Sequence, residues 1–178
     1  YNKSIINIPN QQGGNNVGGI IGYSTYTGVY GSYFNLRIKN CYNTGSLVTS
    51  SNKSNNYLGG IVGYNHSTTS ISHCYNSGNI APASISSSKS GAIVGYEDYS
   101  CTVSNTYYIN TCGVPNTYGG TSMSSTAMQT SDFINMLNDG SCSWEQDVTP
   151  YTNDGYPVLT MIILDAKTLD AINVTQTH

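Results

Sequence analysis

Acidic residues, which acid–base catalysis and calcium binding both need, are confined to one part of this sequence. All nine lie at or after Glu97, and residues 1–96 contain none. Glycoside hydrolysis uses two carboxylates placed across the substrate bond, and Glu97–Asp98 is an adjacent pair just after a predicted strand. A catalytic or calcium-binding pair is one interpretation, and two solvated loop acids is the simpler one, which we favour. Capping and turn roles suffice for the later acids Asp132, Asp139, Glu145, Asp147 and Asp154.

Nucleophilic catalysis has no recognisable arrangement here. The sequence lacks a Gly-x-Ser-x-Gly elbow and has three histidines, His66, His73 and His178. His73 and Cys74 are adjacent, so on a strand their side chains would point to opposite faces, which argues against a catalytic dyad. We therefore predict that the chain is not an enzyme and that it has no catalytic residue, no cofactor and no metal site.

The five cysteines form no Cys-x-x-Cys pair, which excludes zinc-ribbon and thioredoxin-type redox motifs. Cys41 and Cys74 stand at equivalent places in two similar segments. We expect them to be small buried residues on neighbouring coils, with a disulfide between them as the alternative. Among the remaining cysteines, Cys112–Cys142 is the pair that we favour for a disulfide.

Tyrosine is unusually frequent, with 16 residues against 2 Phe and 1 Trp. An exposed row of tyrosines would form a sugar- or protein-binding face, whereas tyrosines that fill corners and ladders would be structural. The segment YSTYTGVYGSYF at 23–34 is the strongest binding candidate, because it is tyrosine-rich and contains an insertion into a repeat. We predict Tyr26, Tyr30 and Tyr33 as ligand-binding residues.

Charge is scarce and unevenly distributed. Charged residues make up 8% of the chain, far below the roughly 25% of a typical domain. Residues 1–96 carry about +5 and the remainder about −8, for a net charge of −3. Five scattered cations form no basic stripe, so we expect no nucleic-acid partner. No stretch approaches the roughly 18 apolar residues of a spanning helix, so we expect no membrane insertion by this segment.

A repeat positions these residues. The segments VGGIIGY (17–23), LGGIVGY (58–64) and SGAIVGY (90–96) align, and each precedes a second motif, IKNCYNTGSL (38–47), ISHCYNSGNI (71–80) or VSNTYYIN (103–110). The second motif recurs every 32 to 33 residues, and residues 1–19 align on 42–60 without gaps. Such a period indicates a solenoid, a propeller or an array. Because the alignment begins within a repeat, we expect further repeats upstream in a longer parent protein.

Each repeat is too rich in glycine for a helix and predicts short strands. Stacked copies would pair about 4.8 Å apart, giving an all-β parallel β-helix (β-solenoid) of about three to four coils; a propeller or an antiparallel sandwich is the alternative. We expect positive φ at Gly45 and Gly78, and at Asn110 in the third unit. The predicted ladders are Ile20/Ile61/Ile93, Ile21/Val62/Val94 or both, Ile38/Ile71/Val103, Tyr23/Tyr64/Tyr96 and Tyr42/Tyr75/Tyr107.

The pattern changes after residue 110. Residues 111–160 are predicted to cap the open end of the coil, with one short helix near 131–138 that Thr130 or Ser131 begins and Asp139-Gly140 ends. The predicted organisation is residues 1–110 as repeats, in units of roughly 1–16 (partial), 17–57, 58–89 and 90–110, then 111–160 as the cap, and 161–178 as an edge strand and linker tail.

The three glycine-rich segments, each followed by a Cys/Thr-Tyr-Asn/Tyr segment, resemble the GLUG-motif repeats of bacterial surface proteins. The tail MQTSDFINMLNDGSCSWEQD…NDGYPVL is similar to the segment that closes such arrays, so the resemblance covers most of residues 1–160. It implies a β-solenoid module of adhesin-like proteins or of immunoglobulin A peptidases, where the repeats lie outside the catalytic domain. It transfers no catalytic residue. The cysteines and an insertion of about 8 residues depart from the pattern.

We therefore expect a non-enzymatic, extracellular repeat module at the bacterial cell surface, acting in adhesion or as a rigid spacer. Its expected partners are a host glycan or matrix protein and the flanking domains of the same parent chain. The alternative is a carbohydrate-active β-helix enzyme or a non-catalytic part of a surface peptidase. A cleft with two carboxylates within about 10 Å of each other would favour the enzyme.

Overall fold

The architecture is built from short strands that recur in each repeat. A computed structural model describes residues 1–9, 14–25, 35–51, 55–83 and 88–160. Within them lie one 3-10 turn, Ala127–Gln129, and one α-helix, α1 (Ser131–Asn138). The strands are β1 (Ile6–Ile8), β2 (Asn16–Gly18), β3 (Ile21–Thr25), β4 (Leu36–Lys39), β5 (Tyr42–Asn43), β6 (Leu47–Thr49), β7 (Asn56–Gly59), β8 (Val62–His66), β9 (Thr69–Asn76), β10 (Ile80–Ala81), β11 (Ser88–Gly91), β12 (Val94–Glu97), β13 (Cys101–Ile109), β14 (Thr121–Met123), β15 (Trp144–Glu145) and β16 (Val158–Leu159).

Four sheets join strands of successive repeats. Three of them have the orders β1-β6-β10, β2-β7-β11 and β3-β8-β12, and the fourth is β4-β9-β13-β14 with β5 also paired to β9. All pairings in these four sheets are parallel, and β15–β16 is the one antiparallel pair in the described residues. The chain is thus mostly β with parallel sheets, consistent with a parallel β-helix. The antiparallel sandwich and propeller are excluded for this part of the chain.

The register confirms the repeat alignment. Ile21, Val62 and Val94 are paired across three strands, as are Ile38, Ile71 and Val103. Both predicted tyrosine ladders are also in register. The first residues follow the same repeat alignment, because Asn2 forms a β-bridge with Asn43 and Ile6 pairs with Leu47.

Both central residues of the glycine-rich motif are buried in the core. Ile61 and Val62 are each 0% exposed, as are Ile93 and Val94. The backbone bends here, and the carbonyl of Ile93 accepts from the N–H groups of both Ile61 (2.9 Å) and Val62 (3.0 Å). Because the bend replaces strand alternation, two consecutive side chains can point inward.

Glycine in these corners provides space for neighbouring backbone. A Cβ at Gly59 would lie 1.9 Å from the carbonyl oxygen of Val62. The expectation of positive φ at Gly45, Gly78 and Asn110 is wrong, since none of the three has it. Their role differs from the expected one: a Cβ at Gly78 would lie 2.1 Å from the carbonyl oxygen of Gly45 on the adjacent coil.

Positive φ occurs instead at the residue before each repeat cysteine or threonine. Asn40, His73 and Asn105 have φ values of 54°, 54° and 41°. The side chain of the following residue donates a hydrogen bond to the carbonyl two positions before it. Cys74 Sγ donates to the Ser72 carbonyl at 3.1 Å, and Thr106 Oγ1 donates to the Ser104 carbonyl at 2.8 Å. Cysteine and threonine exchange here because both supply this short-range donor.

The C-terminal region packs its helix against the large sheet. Thr130 Oγ1 accepts from the Phe133 N–H at 3.3 Å, and Asp139 ends α1 in the left-handed conformation, as predicted. Phe133 is buried edge-on against Tyr107, at 5.2 Å between ring centroids. The sheet itself continues into the segment predicted as cap, because β14 pairs with β13. Residues 161–178, predicted as an edge strand and tail, lie outside the described residues.

The cysteines are all free thiols, so the favoured Cys112–Cys142 disulfide is wrong. Cys112 is buried and its thiol donates to the carbonyl of Val114 at 3.5 Å, whereas Cys142 is exposed after α1. Cys41 and Cys74 lie on adjacent coils as expected. Cys74 is fully buried, but Cys41 is only half-buried, so the expected burial holds for one of the two. No disulfide joins them, and their thiols donate to the carbonyls of Lys39 and Ser72 respectively.

Candidate ligand-binding face

The ligand-binding residues predicted from the sequence cannot be placed. Tyr26, Tyr30 and Tyr33 lie outside the described residues. The structure instead brings together tyrosines from strands that flank the glycine corners. We call Tyr23, Tyr57, Tyr64 and Tyr96 the tyrosine row.

A buried asparagine holds the middle strand of this face. On β8, Tyr64 and His66 alternate with Asn65, which is 0% exposed. Asn65 Oδ1 accepts from Ser24 Oγ at 2.6 Å and from Thr69 Oγ1 at 2.6 Å. Because these hydrogen bonds fix the side chain of Asn65 inside the coil, the side chains of Tyr64 and His66 lie on the outer surface.

The rings of the tyrosine row are in continuous contact across three coils. Tyr23 and Tyr64 have centroids 5.1 Å apart, and Tyr64 and Tyr96 are 5.4 Å apart. Tyr57 lies 4.8 Å from Tyr64 and 5.1 Å from Tyr96. Aromatic pairs at such distances each contribute about 0.5–1.5 kcal/mol, so the row is ordered before any ligand arrives. Tyr23, at its open end, is 45% exposed.

Asp98 is bound at one edge of the row. Its carboxylate accepts from the Tyr64 hydroxyl at 2.7 Å and lies 2.8 Å from His66 Nδ1. Burial alone would raise the pKa of Asp98, but the hydrogen bonds from Tyr64 and His66 outweigh it and hold that pKa below its ordinary value. The same hydrogen bond raises the pKa of Tyr64. The carboxylate of Asp98 is therefore already engaged by Tyr64 and His66 of the same face.

Glu97, the neighbour of Asp98, points the other way. It occupies an inward ladder position beside Asn65, and one of its carboxylate oxygens is buried with no hydrogen-bond partner in the described part of the chain. Burial raises the pKa of Glu97, with partial compensation by a hydrogen bond from Cys101. The predicted pair of solvated loop acids is thus corrected for Glu97, and the two carboxylates face different partners.

Lys89 is the cation of this face. Its Nζ lies 3.7 Å from the ring centroid of Tyr96 and 5.6 Å from that of Tyr57, which is cation–π geometry. Among the described residues, no carboxylate forms an ion pair with Lys89. Its charge remains available to a ligand.

A groove runs beside the Tyr96 end of the row. Tyr118 packs edge-on against Tyr96, with centroids 6.4 Å apart and planes 82° apart. We call this the Lys89–Tyr118 groove; it has a volume of about 330 Å³ and is lined by Lys89, Ser90, Tyr96, Pro115, Thr117 and Tyr118.

A second cavity, of about 500 Å³, lies in the C-terminal region and contains two carboxylates, Asp147 and Asp154. Asp147 accepts from the N–H groups of Thr152, Asn153 and Gly155 and from the Thr152 hydroxyl, at 2.8–2.9 Å. Burial raises its pKa, but these hydrogen bonds outweigh burial and lower it overall. The carboxylate of Asp147 therefore folds its own loop, as the predicted turn role requires.

The described residues contain neither a metal-binding cluster nor a membrane-spanning helix. No group of three or more His, Cys, Asp or Glu side chains within them could hold a metal ion. No helix in that part of the chain has the length and apolar character needed to cross a membrane.

Sequence reasoning found part of this face and missed the rest. The Tyr23/Tyr64/Tyr96 ladder followed from the repeat. Tyr57 and Lys89 could have been added, because they occupy equivalent positions two residues before the glycine of each corner. Tyr118 had no such signal, since it follows the last recognisable repeat.

Comparison with known families identifies one segment of the chain. Residues 54–81 match the model of the GLUG motif. This segment contains β7, β8, β9 and β10. Of these, β7 and β8 are the central strands of two three-stranded parallel sheets, and β10 is an edge strand of the third. No curated protein and no solved structure matches the chain.

Proposed function

Because residues 54–81 carry the GLUG motif, we propose that this chain is a non-enzymatic, extracellular repeat module of a larger bacterial surface protein. In this proposal about three to four coils of a parallel β-helix present the tyrosine row to the outside, and the module acts in adhesion. Its ligand is a host glycan or a matrix protein, and flanking domains of the parent chain hold it at the cell surface.

The tyrosine row is the observation that carries the adhesive role. Its four side chains lie outside the inward ladders that hold the coil together, so stacking of the repeats does not by itself require aromatic residues there. Tyrosine combines a large apolar ring with a hydroxyl and loses little conformational freedom on binding, which suits contact surfaces. Packing of the rings against each other reduces the ordering cost further.

A rigid spacer is the second candidate, and a polar ladder inside the coil favours it. Asn2 donates to Asn43 Oδ1 at 2.7 Å, and Asn43 donates to Asn76 Oδ1 at 2.7 Å. Amide ladders of this kind connect successive coils along the axis and stiffen the stack. A spacer needs this ladder and the apolar core, but it does not need the tyrosine row.

The enzyme alternative has the Asp147–Asp154 cavity as its best support. A general acid must carry a proton near neutral pH. Asp147 instead has a lowered pKa and accepts four hydrogen bonds from its loop. We therefore prefer the non-enzymatic module, which is also compatible with a non-catalytic part of a surface peptidase.

Binding to an immobilised panel of host glycans and matrix proteins tests the proposal. The double variant Tyr23→Ser/Tyr96→Ser removes the exposed end and the groove end of the row. The control is Tyr151→Ser, at a tyrosine that is 64% exposed elsewhere. Thermal unfolding verifies that each variant is folded.

We expect the wild type and Tyr151→Ser to bind the same panel member and the double variant to bind it at least about tenfold more weakly, equivalent to about 1.4 kcal/mol. Equal binding by the wild type and the double variant would show that the tyrosine row is not part of the binding site. Absence of binding by the wild type to every panel member would leave the spacer as the better account.

A further inference from the structure

The two ends of the tyrosine row differ in what they expose. Within the row, the ring centroids lie 4.8–5.4 Å apart and the ring planes are inclined to each other by 23–48°. Tyr118 instead stands at 82° to Tyr96. In an edge-on pair the contact covers the face of only one ring. The Tyr96–Tyr118 contact therefore leaves the faces of one of the two rings uncovered, and both rings line the Lys89–Tyr118 groove together with Pro115.

The charge available in this groove is positive. Tyr96 and Tyr57 hold the ammonium of Lys89 at the groove, and no described carboxylate pairs with it. Asp98, the acid on the same face, is engaged by Tyr64 and His66. An anionic group of a ligand would meet Lys89 without displacing an internal partner.

Hydroxyl groups complete the lining. Thr117 and Ser90 both border the groove. The Oγ of Ser90 is buried and has no hydrogen-bond partner among the described residues. Ser90 is in register with the fully buried Leu58, so its side chain points into the coil, and the exposed Thr117 is the hydroxyl residue that a ligand can reach.

We infer that the Lys89–Tyr118 groove binds an acidic sugar, with a pyranose ring packed on the aromatic plane and its carboxylate on Lys89. This rests on the proposed adhesive function and specifies the ligand class. Pyranose rings offer an apolar C–H face to aromatic planes, a rim of hydroxyls to Thr117, and in uronic and sialic acids a carboxylate to Lys89. A proline-rich peptide would use the aromatic plane alone, without Lys89.

Matched pairs of probes test the inference on the full chain. One pair is a hexamer of galacturonic acid and the same hexamer with its carboxyl groups reduced, and the second is 3′-sialyllactose and lactose. A proline-rich decapeptide serves as the peptide probe. The variants are Lys89→Gln, Lys89→Arg and Tyr118→Ser, with Lys39→Gln as the control at an exposed lysine on the large sheet.

The wild type and Lys39→Gln are expected to bind at least one acidic probe about tenfold more tightly than its neutral counterpart, as for a charge-assisted hydrogen bond. Lys89→Gln should abolish this preference, Lys89→Arg should retain it, and Tyr118→Ser should weaken both members of the pair. Added salt should reduce the preference because the ion pair is exposed.

Three results would overturn the inference: equal binding of acidic and neutral probes by the wild type, an unchanged preference in Lys89→Gln, or binding of the peptide alone. Such a failure is separable from failure of the proposed function. If the wild type still binds a panel member through Tyr23 and Tyr96, adhesion stands and the acidic-sugar site does not. If the wild type binds neither the panel nor any probe, both proposals are wrong.

Discussion

The side-chain amide of Asn153 donates a hydrogen bond to the hydroxyl of Tyr75 at 2.7 Å, although 78 residues separate them. Both residues are buried, and the same hydroxyl donates to the carbonyl of Pro157 at 2.6 Å. Tyr75 belongs to the second coil and Asn153 to the C-terminal region. The side chain of Tyr75 therefore joins the C-terminal region to the coil that contains β9, although the coil that contains β13 lies between them in the sequence.

Tyr75→Phe should lower the free energy of unfolding by about 1–2 kcal/mol, because it removes the buried hydrogen bonds of the Tyr75 hydroxyl to the Pro157 carbonyl and from the Asn153 amide. Chemical denaturation monitored by circular dichroism measures this. Tyr151→Phe, at an exposed tyrosine, is the control and should change stability by less than about 0.5 kcal/mol. Equal effects of the two variants would contradict the anchoring role of Tyr75.

Gly59→Ala should be more destabilising than Gly140→Ala, for different physical reasons. A Cβ at Gly59 would lie 1.9 Å from the carbonyl oxygen of Val62, so the backbone of the corner must move, at a cost of about 3 kcal/mol. No described atom outside its chain neighbours lies within 4 Å of a Cβ added at Gly140, but its φ is 79°, and Ala there costs about 1 kcal/mol. Thermal unfolding of the two variants gives the order. A reversed order would mean that the backbone of the corner at Gly59 is not as tightly packed as described.

Asp147→Asn should destabilise the protein at neutral pH by about 2–3 kcal/mol, since the loop loses charge-assisted hydrogen bonds. The pKa of Asp147 is lower in the folded protein than its ordinary value. The stability that this carboxylate contributes is therefore present above its unfolded pKa of about 3.9 and is lost as the pH falls through the folded value.

Thermal unfolding of wild type and Asp147→Asn between neutral and strongly acidic pH measures this difference. The melting temperatures should converge as the pH falls. Asp132→Asn, in the exposed first turn of α1, is the control for removal of a negative charge. A difference between wild type and Asp147→Asn that stays constant with pH would disprove the role of the ionised carboxylate.

Cys41 should react with iodoacetamide as a thiolate near neutral pH. A hydrogen bond from the Cys74 thiol lowers the pKa of Cys41 to about 7, against a raising effect of burial. Cys74→Ala removes the donor, so half-maximal reactivity should move to higher pH, whereas Cys74→Ser keeps a hydroxyl donor and should resemble the wild type. Peptide mass spectrometry of alkylated protein gives the rate for Cys41 alone. Identical profiles for Cys74→Ala and Cys74→Ser would show that the hydrogen bond is not the cause.

The repeat allowed the core of this fold to be predicted from sequence. Parallel stacking places equivalent residues on top of each other, so aligned motifs give the register directly, as at Tyr23, Tyr64 and Tyr96. The helix was predictable because Thr130 caps its start and Asp139-Gly140 ends it, and both effects depend only on residues close in sequence.

The errors arose where neighbouring coils decide the conformation. Glycine at 45 and 78 suggested positive φ, but the close backbone of the adjacent coil is the reason for glycine there. Within the repeats the left-handed residues are Asn40, His73 and Asn105, positions at which the sequence has no glycine. The groove could not be predicted, because Tyr118 reaches Tyr96 through packing outside the repeat.

The most direct test of the tyrosine row as the binding face is fluorine NMR of the protein labelled with fluorotyrosine, titrated with the panel member that the wild type binds. Substitution of single tyrosines by phenylalanine assigns the resonances. The account predicts that the signals of Tyr23, Tyr57, Tyr64 and Tyr96 shift together in proportion to occupancy, while those of the buried Tyr75 and Tyr107 stay in place. Shifts confined to Tyr26, Tyr30 and Tyr33, with the row unchanged, would contradict it and place the ligand on the inserted segment.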